Sequence, residues 1–167
     1  FQKIPFARFF LNTLLIASTT TILQLLTSSM AAFAFTKLKF PGNNIIFSLY
    51  LATLMVPAQV ILIPQFIIIK NLGLFNKHAS LILLGSFSPF GVFMLSQFFR
   101  GIPSALMDAA MIDGANYLVT YYKIILPLAV PAISALSIMT FIWAMNDFMN
   151  PMIYINDINL RTITLGI

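Results

Sequence analysis

Cysteine is absent from this sequence, and histidine occurs once, at His78. Disulfide frameworks are thereby excluded, as are metal sites built on thiolates or on several imidazoles. Charge is almost as scarce: nine basic and four acidic residues make up 8% of 167 residues, where an ordinary soluble domain carries roughly 25%. So few charges cannot clothe a globule in water. No Gly-Lys dipeptide occurs, so a phosphate-binding loop of the form G-x-x-x-x-G-K-[ST] is excluded and any nucleotide chemistry belongs to another chain. No cleavable signal-peptide pattern is visible.

What fills the sequence is apolar: 60% of its residues are hydrophobic, and the formal net charge is +5. The charges fall in groups, at Lys3/Arg8, Lys37/Lys39, Lys70/Lys77, Arg100 to Lys123 and Asp147 to Arg161. Basic residues that bracket apolar runs suit lipid headgroups and aqueous loops. Nucleic acid needs Lys and Arg converging on one face, and is not expected as a partner.

The uncharged run Phe9 to Phe35 would span about 40 Å as a helix, more than the roughly 30 Å of a bilayer's hydrocarbon core. Its middle is rich in Ser, Thr and Ala, the small residues that let helices approach closely in lipid. Pro41 and Gly42 with Lys37 and Lys39 predict a turn. A second span, 45–69, carries Pro57 and Pro64 and is expected to kink beside a cavity. A third, 79–99, ends at Arg100, and a fourth covers 127–148. Thr162 to Ile167 open a fifth. The expected fold class is all-α: a polytopic transmembrane helical bundle, with residues 1–167 as a single transmembrane domain. Charge alone does not orient it, because the basic residues divide almost evenly between the two sides.

Between the third and fourth spans lies one long polar connection, 100–126. Pro103 and Ser104 can start a helix. Leu106, Met107, Ala110 and Met111 then share one arc at 100° per residue, flanked by Asp108 and Asp113. Gly114 is a natural helix end, a second short helical stretch is expected through Tyr122, and Pro127 and Pro131 reset the chain. From periodicity alone an interfacial helix lying on headgroups explains the pattern as well.

The spacing Asp108-Ala109-Ala110, three residues, Gly114, nine residues, Ile124-x-Leu126-Pro127 resembles the Glu-Ala-Ala loop of ABC importer permeases, and Asp113-Gly114-Ala115 extends the match. Asp108 stands where that family usually has glutamate, one methylene longer. The segments Lys37-Leu38-Lys39-Phe40-Pro41-Gly42, Val56-Pro57-Ala58-Gln59, Asn71-Leu72-Gly73-Leu74 and Phe141 to Phe148 look most like the carbohydrate subfamily, in its maltose-type second permease.

The resemblance implies a type I importer permease fold, truncated at both ends relative to the usual six spans, in a bacterial or archaeal plasma membrane. It implies a cytoplasmic loop whose short helix docks on a separate ATP-hydrolysing subunit through Leu106, Asp108, Ala109, Ala110, Met111, Asp113 and Gly114. ATP and Mg would then sit on that partner and no cofactor on this chain. A sister permease or second copy, an extracytoplasmic solute-binding protein and membrane lipid complete the implied partners.

A sugar site calls for amide hydrogen bonds and an aromatic face, which Gln59, Trp143 and Asn146 supply if they share a cavity. Asp147, an ionisable group at the end of a span, joins them as a candidate for the substrate path, with helix capping as its alternative. An enzyme would need a nucleophile with a positioned base or a metal cluster, and neither is evident. A passive channel, a structural membrane subunit, or a permease for another solute such as an amino acid are the alternatives. A channel has no use for a docking helix.

Overall fold

The computed structural model describes residues 5–166; Lys3 and Ile167, assigned above to a juxtamembrane charge group and to the start of a fifth span, lie outside them. Helix α1 (Phe6–Lys37) has 32 residues, which at 1.5 Å each gives about 48 Å. Small and polar residues dominate its buried face, unlike that of a soluble helix. Thr13, Ala17, Thr20, Thr21, Gln24, Ser28 and Ala32 are buried, while Leu11, Leu15, Ile22, Leu26 and Met30 are exposed. In water this arrangement would expose its costliest surface. In lipid it is favourable, because large apolar side chains meet acyl chains and small ones allow close packing.

The chain continues through α2 (Asn43–Ala52), a 3₁₀ turn (Thr53–Met55), α3 (Ala58–Asn71), α4 (His78–Gly85) and α5 (Pro89–Arg100). Then come α6 (Ala105–Ile112), α7 (Tyr117–Thr120), a π-helical turn (Tyr121–Ile125), α8 (Leu126–Leu128), α9 (Val130–Asn146) and α10 (Met149–Tyr154). A 3₁₀ turn (Ile158–Leu160) and α11 (Ile163–Gly166) end it. Two helical stretches are long and apolar enough to cross a membrane, Phe6–Lys37 and His78–Arg100, and the number is four if each of two bent pairs counts as one span.

The breaks depart from the expected spans in ways their residues explain. Across 45–69 the interruption lies at Thr53–Met55 and Pro57, whose ψ of 135° is extended; Pro64 sits inside an unbroken α3. Across 79–99 the chain pauses after Gly85, and α5 restarts with Ser88 accepting a hydrogen bond from Gly91 N at 3.0 Å and Pro89 in its first turn, the preferred use of both residue types. The second stretch of the polar connection does not end at Tyr122. It runs through the π turn to Leu128 and bends at Ala129 by 77° before α9. Pro127 has no N–H to give, and the wider turn before it takes up the mismatch.

By internal packing the chain divides into two compact units: the first holds residues up to Gln24, Val56–Phe87 and Ile138 onward, and the second Leu25–Met55 and Ser88–Ser137. The core of the first is Ile16, Ile69, Leu81, Tyr154 and Ile155, with Phe66 and Leu74 packed against it. Burial raises the Tyr154 phenol above its ordinary pKa. Thr20 meets α4 where Gly85 leaves no room: a Cβ on Gly85 would lie 2.5 Å from Thr20 Cγ2.

Asn76 ties this unit's turns together. Its φ of 59° is left-handed, which Asn tolerates better than most residues. Its N–H donates to Tyr154 O, and its Oδ1 accepts from both Asn156 N and Asp157 N, each at 2.9 Å. His78 adds a bond from Nε2 to Leu160 O at 2.9 Å, a structural use of the lone histidine. Asn76→Ala removes the acceptor and the tolerance of positive φ together, and should lower stability by about 2–4 kcal/mol. A thermal-unfolding midpoint in detergent that does not fall would contradict that role.

The second unit packs Ala32, Phe33, Leu95, Phe99, Met107, Ile125, Ala129 and Leu136 into one core. Phe33 and Tyr121 rings lie 5.2 Å apart, and the Tyr121 hydroxyl bonds Ser29 Oγ at 2.8 Å. Lys37 Nζ donates to Ile102 O at 2.6 Å, closing the last turn of α1 onto the chain just before α6.

Candidate functional site

The polar connection belongs wholly to the second unit. Met107 and Ala110 are buried, Met107 within the core, so α6 is anchored by the middle of the apolar arc that the sequence predicts. The two flanks of the arc are bare. Leu106 and Met111 are exposed, Ile112 is 86% exposed, and Leu118 on α7 is 69% exposed. Asp108, Ala109, Asp113 and Gly114 are also exposed. Of the seven residues assigned to docking, Ala110 alone points inward. Ile112 lies on the opposite side of α6 from that arc, and Leu118 lies on the next helix.

Gly114 has φ +83°, and a Cβ there would meet nothing within 4 Å among the described residues. Backbone conformation, not space, therefore calls for glycine. Ala115 N donates to Ala110 O at 2.9 Å and Gly114 N to Met111 O at 3.1 Å, the paired bonds of a Schellman ending. Two residues on, Asn116 Oδ1 accepts from Val119 N at 2.9 Å and caps α7. The two helices thus present their bare apolar residues across a turn whose backbone groups are paired.

A second feature lies wholly within the first unit: a cavity of about 570 Å³. Trp143, Asn146 and Asp147 line it, as the sequence suggested, and Gln59 does not. The reason is helical phase. Ala58, Ile61, Leu62 and Gln65 line the cavity from one face of α3 at i, i+3, i+4 and i+7, which leaves Gln59 one step off that face and exposed. Gln65 takes its place, joined by Gln24, whose Nε2 donates to Thr140 Oγ1 at 2.9 Å.

Asp147 is chiefly a cap. Its Oδ1 accepts from Asn150 N at 3.2 Å and its Oδ2 from Asn150 Nδ2 at 2.7 Å, while its carbonyl accepts from Thr164 Oγ1 at 2.7 Å. The two bonds from Asn150 brace the first turn of α10, just after α9 ends. Asn146 Nδ2 donates back to Ile142 O at 2.8 Å. Among the described residues, no group of three or more His, Cys, Asp or Glu gathers to hold a metal ion.

Residues 24–165 match the protein family described as "Binding-protein-dependent transport system inner membrane component". The sn-glycerol-3-phosphate transport system permease protein UgpE of Salmonella typhi is 36% identical over 163 residues, 98% of this chain and 58% of that protein. Its namesake from Escherichia coli (strain K12) is 34% identical over the same extent. The chain therefore spans somewhat over half the length of these relatives. A solved structure of a bacterial ABC transporter involved in the import of the acidic polysaccharide alginate superimposes with a TM-score of 0.89, at 22% identity, over 98% of this chain and 57% of that one. That likeness shows the fold: an importer-permease bundle, as the loop motif implied.

Proposed function

This chain belongs to the family of binding-protein-dependent transport system inner membrane components, and on that premise we propose that it forms most of the permease subunit of an ATP-driven importer for a sugar or oligosaccharide. The observation that carries the reading is the joint at 105–120. The inner face of α6 is locked into its own unit by Met107, while Leu106, Met111, Ile112 and Leu118 are bare apolar residues in a polar connection. Exposed apolar groups clustered beside a fixed turn are what a docking partner covers.

The partner in this reading is an ATP-binding subunit, which holds ATP and Mg; no hydrolytic chemistry belongs to this chain. Closure of two such subunits pushes α6 and α7, and the push alternates the permease pair between outward-open and inward-open states. The pair consists of this chain with a sister permease or a second copy. An extracytoplasmic protein delivers the solute, and the multi-pass assembly resides in a bacterial or archaeal plasma membrane. The solute class rests on the resemblance of the motifs to the carbohydrate subfamily, on relatives whose name refers to a glycerol phosphate, and on a cavity furnished with amides and one indole.

This sequence has no native cysteine, so a single Ile112→Cys, in a full-length permease from which any cysteine outside this sequence has been removed, gives a clean probe. Coexpressed with its ATPase carrying a cysteine in the facing groove, it should form a disulfide whose yield changes severalfold with nucleotide. Labelling of that cysteine from outside the cell, with no crosslink, would invert the topology and remove the importer reading.

A further inference from the structure

The cavity of the first unit carries a chemical signature that its size does not. Its polar lining is made of neutral hydrogen-bonding groups, and among the described residues that line it there is no Lys, Arg or His. The one ionisable side chain is Asp147. Both oxygens of that carboxylate take their bonds from Asn150, one from its backbone N–H and one from its amide. No cation sits among these partners to cancel its charge.

Thr20 Oγ1, also on the lining, is buried and has no protein partner among the described residues. A buried hydroxyl left without a partner costs free energy that a solute hydroxyl or amide can return. An anion would find neither a guanidinium nor an ammonium among the described lining residues to replace its hydration, and would meet the Asp147 carboxylate. Both conditions oppose it.

We propose that the cavity walled by Thr20, Gln24, Gln65, Thr140 and Asn146 receives an uncharged, hydrogen-bonding part of the solute, and that Asp147 turns anions away from it. This rests on reading that wall as part of the solute path. Phosphate, sulfate or carboxylate groups of a solute are carried elsewhere or not carried at all.

The test uses the full-length permease with its partner permease and ATPase in proteoliposomes, with Ala144→Cys as the only cysteine of this chain. Ala144 lies on the lining beside Trp143. The reaction rates of trimethylammonium-ethyl and sulfonato-ethyl methanethiosulfonate are measured, each divided by its rate with a free thiol in solution. The cationic reagent should be favoured roughly tenfold, the effect of one unscreened charge at short range in a medium less polar than water. Asp147→Asn should bring the ratio to about 1.

A ratio at or below 1 with Asp147 intact overturns the proposal, as does a preference that survives Asp147→Asn. Should Ala144→Cys fail to assemble, Ala58→Cys on the same lining gives the same two readings. The outcome separates from the importer reading, which stands or falls on the nucleotide-sensitive crosslink at position 112. An inverted ratio with that crosslink present overturns this proposal and leaves the importer reading in place.

Discussion

Gly114→Val in the full-length permease should reduce solute-stimulated transport roughly tenfold while leaving the amount of inserted protein nearly unchanged. Gly114→Asn should retain most of the activity. The reason is local: φ is +83° at this position and a Cβ would meet no neighbour within 4 Å among the described residues. Substitution therefore costs backbone strain and no clash. For a β-branched residue the left-handed conformation costs about 1–2 kcal/mol, which corresponds to a 5- to 30-fold loss of the required turn. Asn adopts it at lower cost. Paired measurements of ATP hydrolysis and solute uptake distinguish the outcomes, because a slackened joint lets hydrolysis continue while uptake falls. Equal activity of the Val and Asn variants would show that the Schellman turn plays no part in transmission.

Gly85→Ala should destabilise the first unit by about 1–3 kcal/mol, the usual cost of overpacking a close contact, and Thr20→Ala should restore most of that loss. A Cβ at position 85 falls 2.5 Å from Thr20 Cγ2, and the other atoms of Thr20 within reach are Oγ1 at 3.6 Å and Cβ at 3.7 Å. Removing Cγ2 thus removes the collision. Threonine has little freedom to turn away, since a branched Cβ in a helix has few rotamers. In a double-mutant cycle the coupling between the two changes should exceed about 1 kcal/mol, as residues in direct contact do. Additive effects on the thermal midpoint in detergent would show that α1 and α4 do not pack through this pair.

The helices themselves were legible in the sequence because lipid imposes a simple rule: long uncharged runs must be helical. Phe9 to Phe35 falls inside α1, and the Ser, Thr and Ala positions of that run supply its buried face. Breaks were harder to read. Pro57 interrupts a span and Pro64 does not, although proline lacks its N–H at both, because the decision rests on whether the surrounding helix finds other partners. The π turn before Leu126 left no mark in the pattern, since Tyr-Tyr-Lys-Ile-Ile reads equally well as α-helix.

For the candidate site, motif spacing identified the loop, and Gly114 occupies the left-handed turn that a helix-ending glycine takes up. Which residues of the α6 arc are free was not legible. Periodicity grouped Leu106, Met107, Ala110 and Met111, and only three-dimensional packing separates the buried Met107 and Ala110 from the exposed Leu106 and Met111. Gln59 and Gln65 differ by phase on α3, which requires knowing where that helix begins.

The hydroxyls of α1 have a consequence for how the protein is made. Thr13, Thr21 and Thr36 donate to the carbonyls of Phe9, Ala17 and Ala32, four residues back, at 2.9, 2.7 and 2.7 Å. Their hydrogen bonds are satisfied inside the helix itself, so they need no neighbour when the segment leaves the translocation machinery. The large outward side chains supply the apolar surface that drives partitioning. Biogenesis of this segment can therefore proceed in two stages, with insertion first and assembly afterwards.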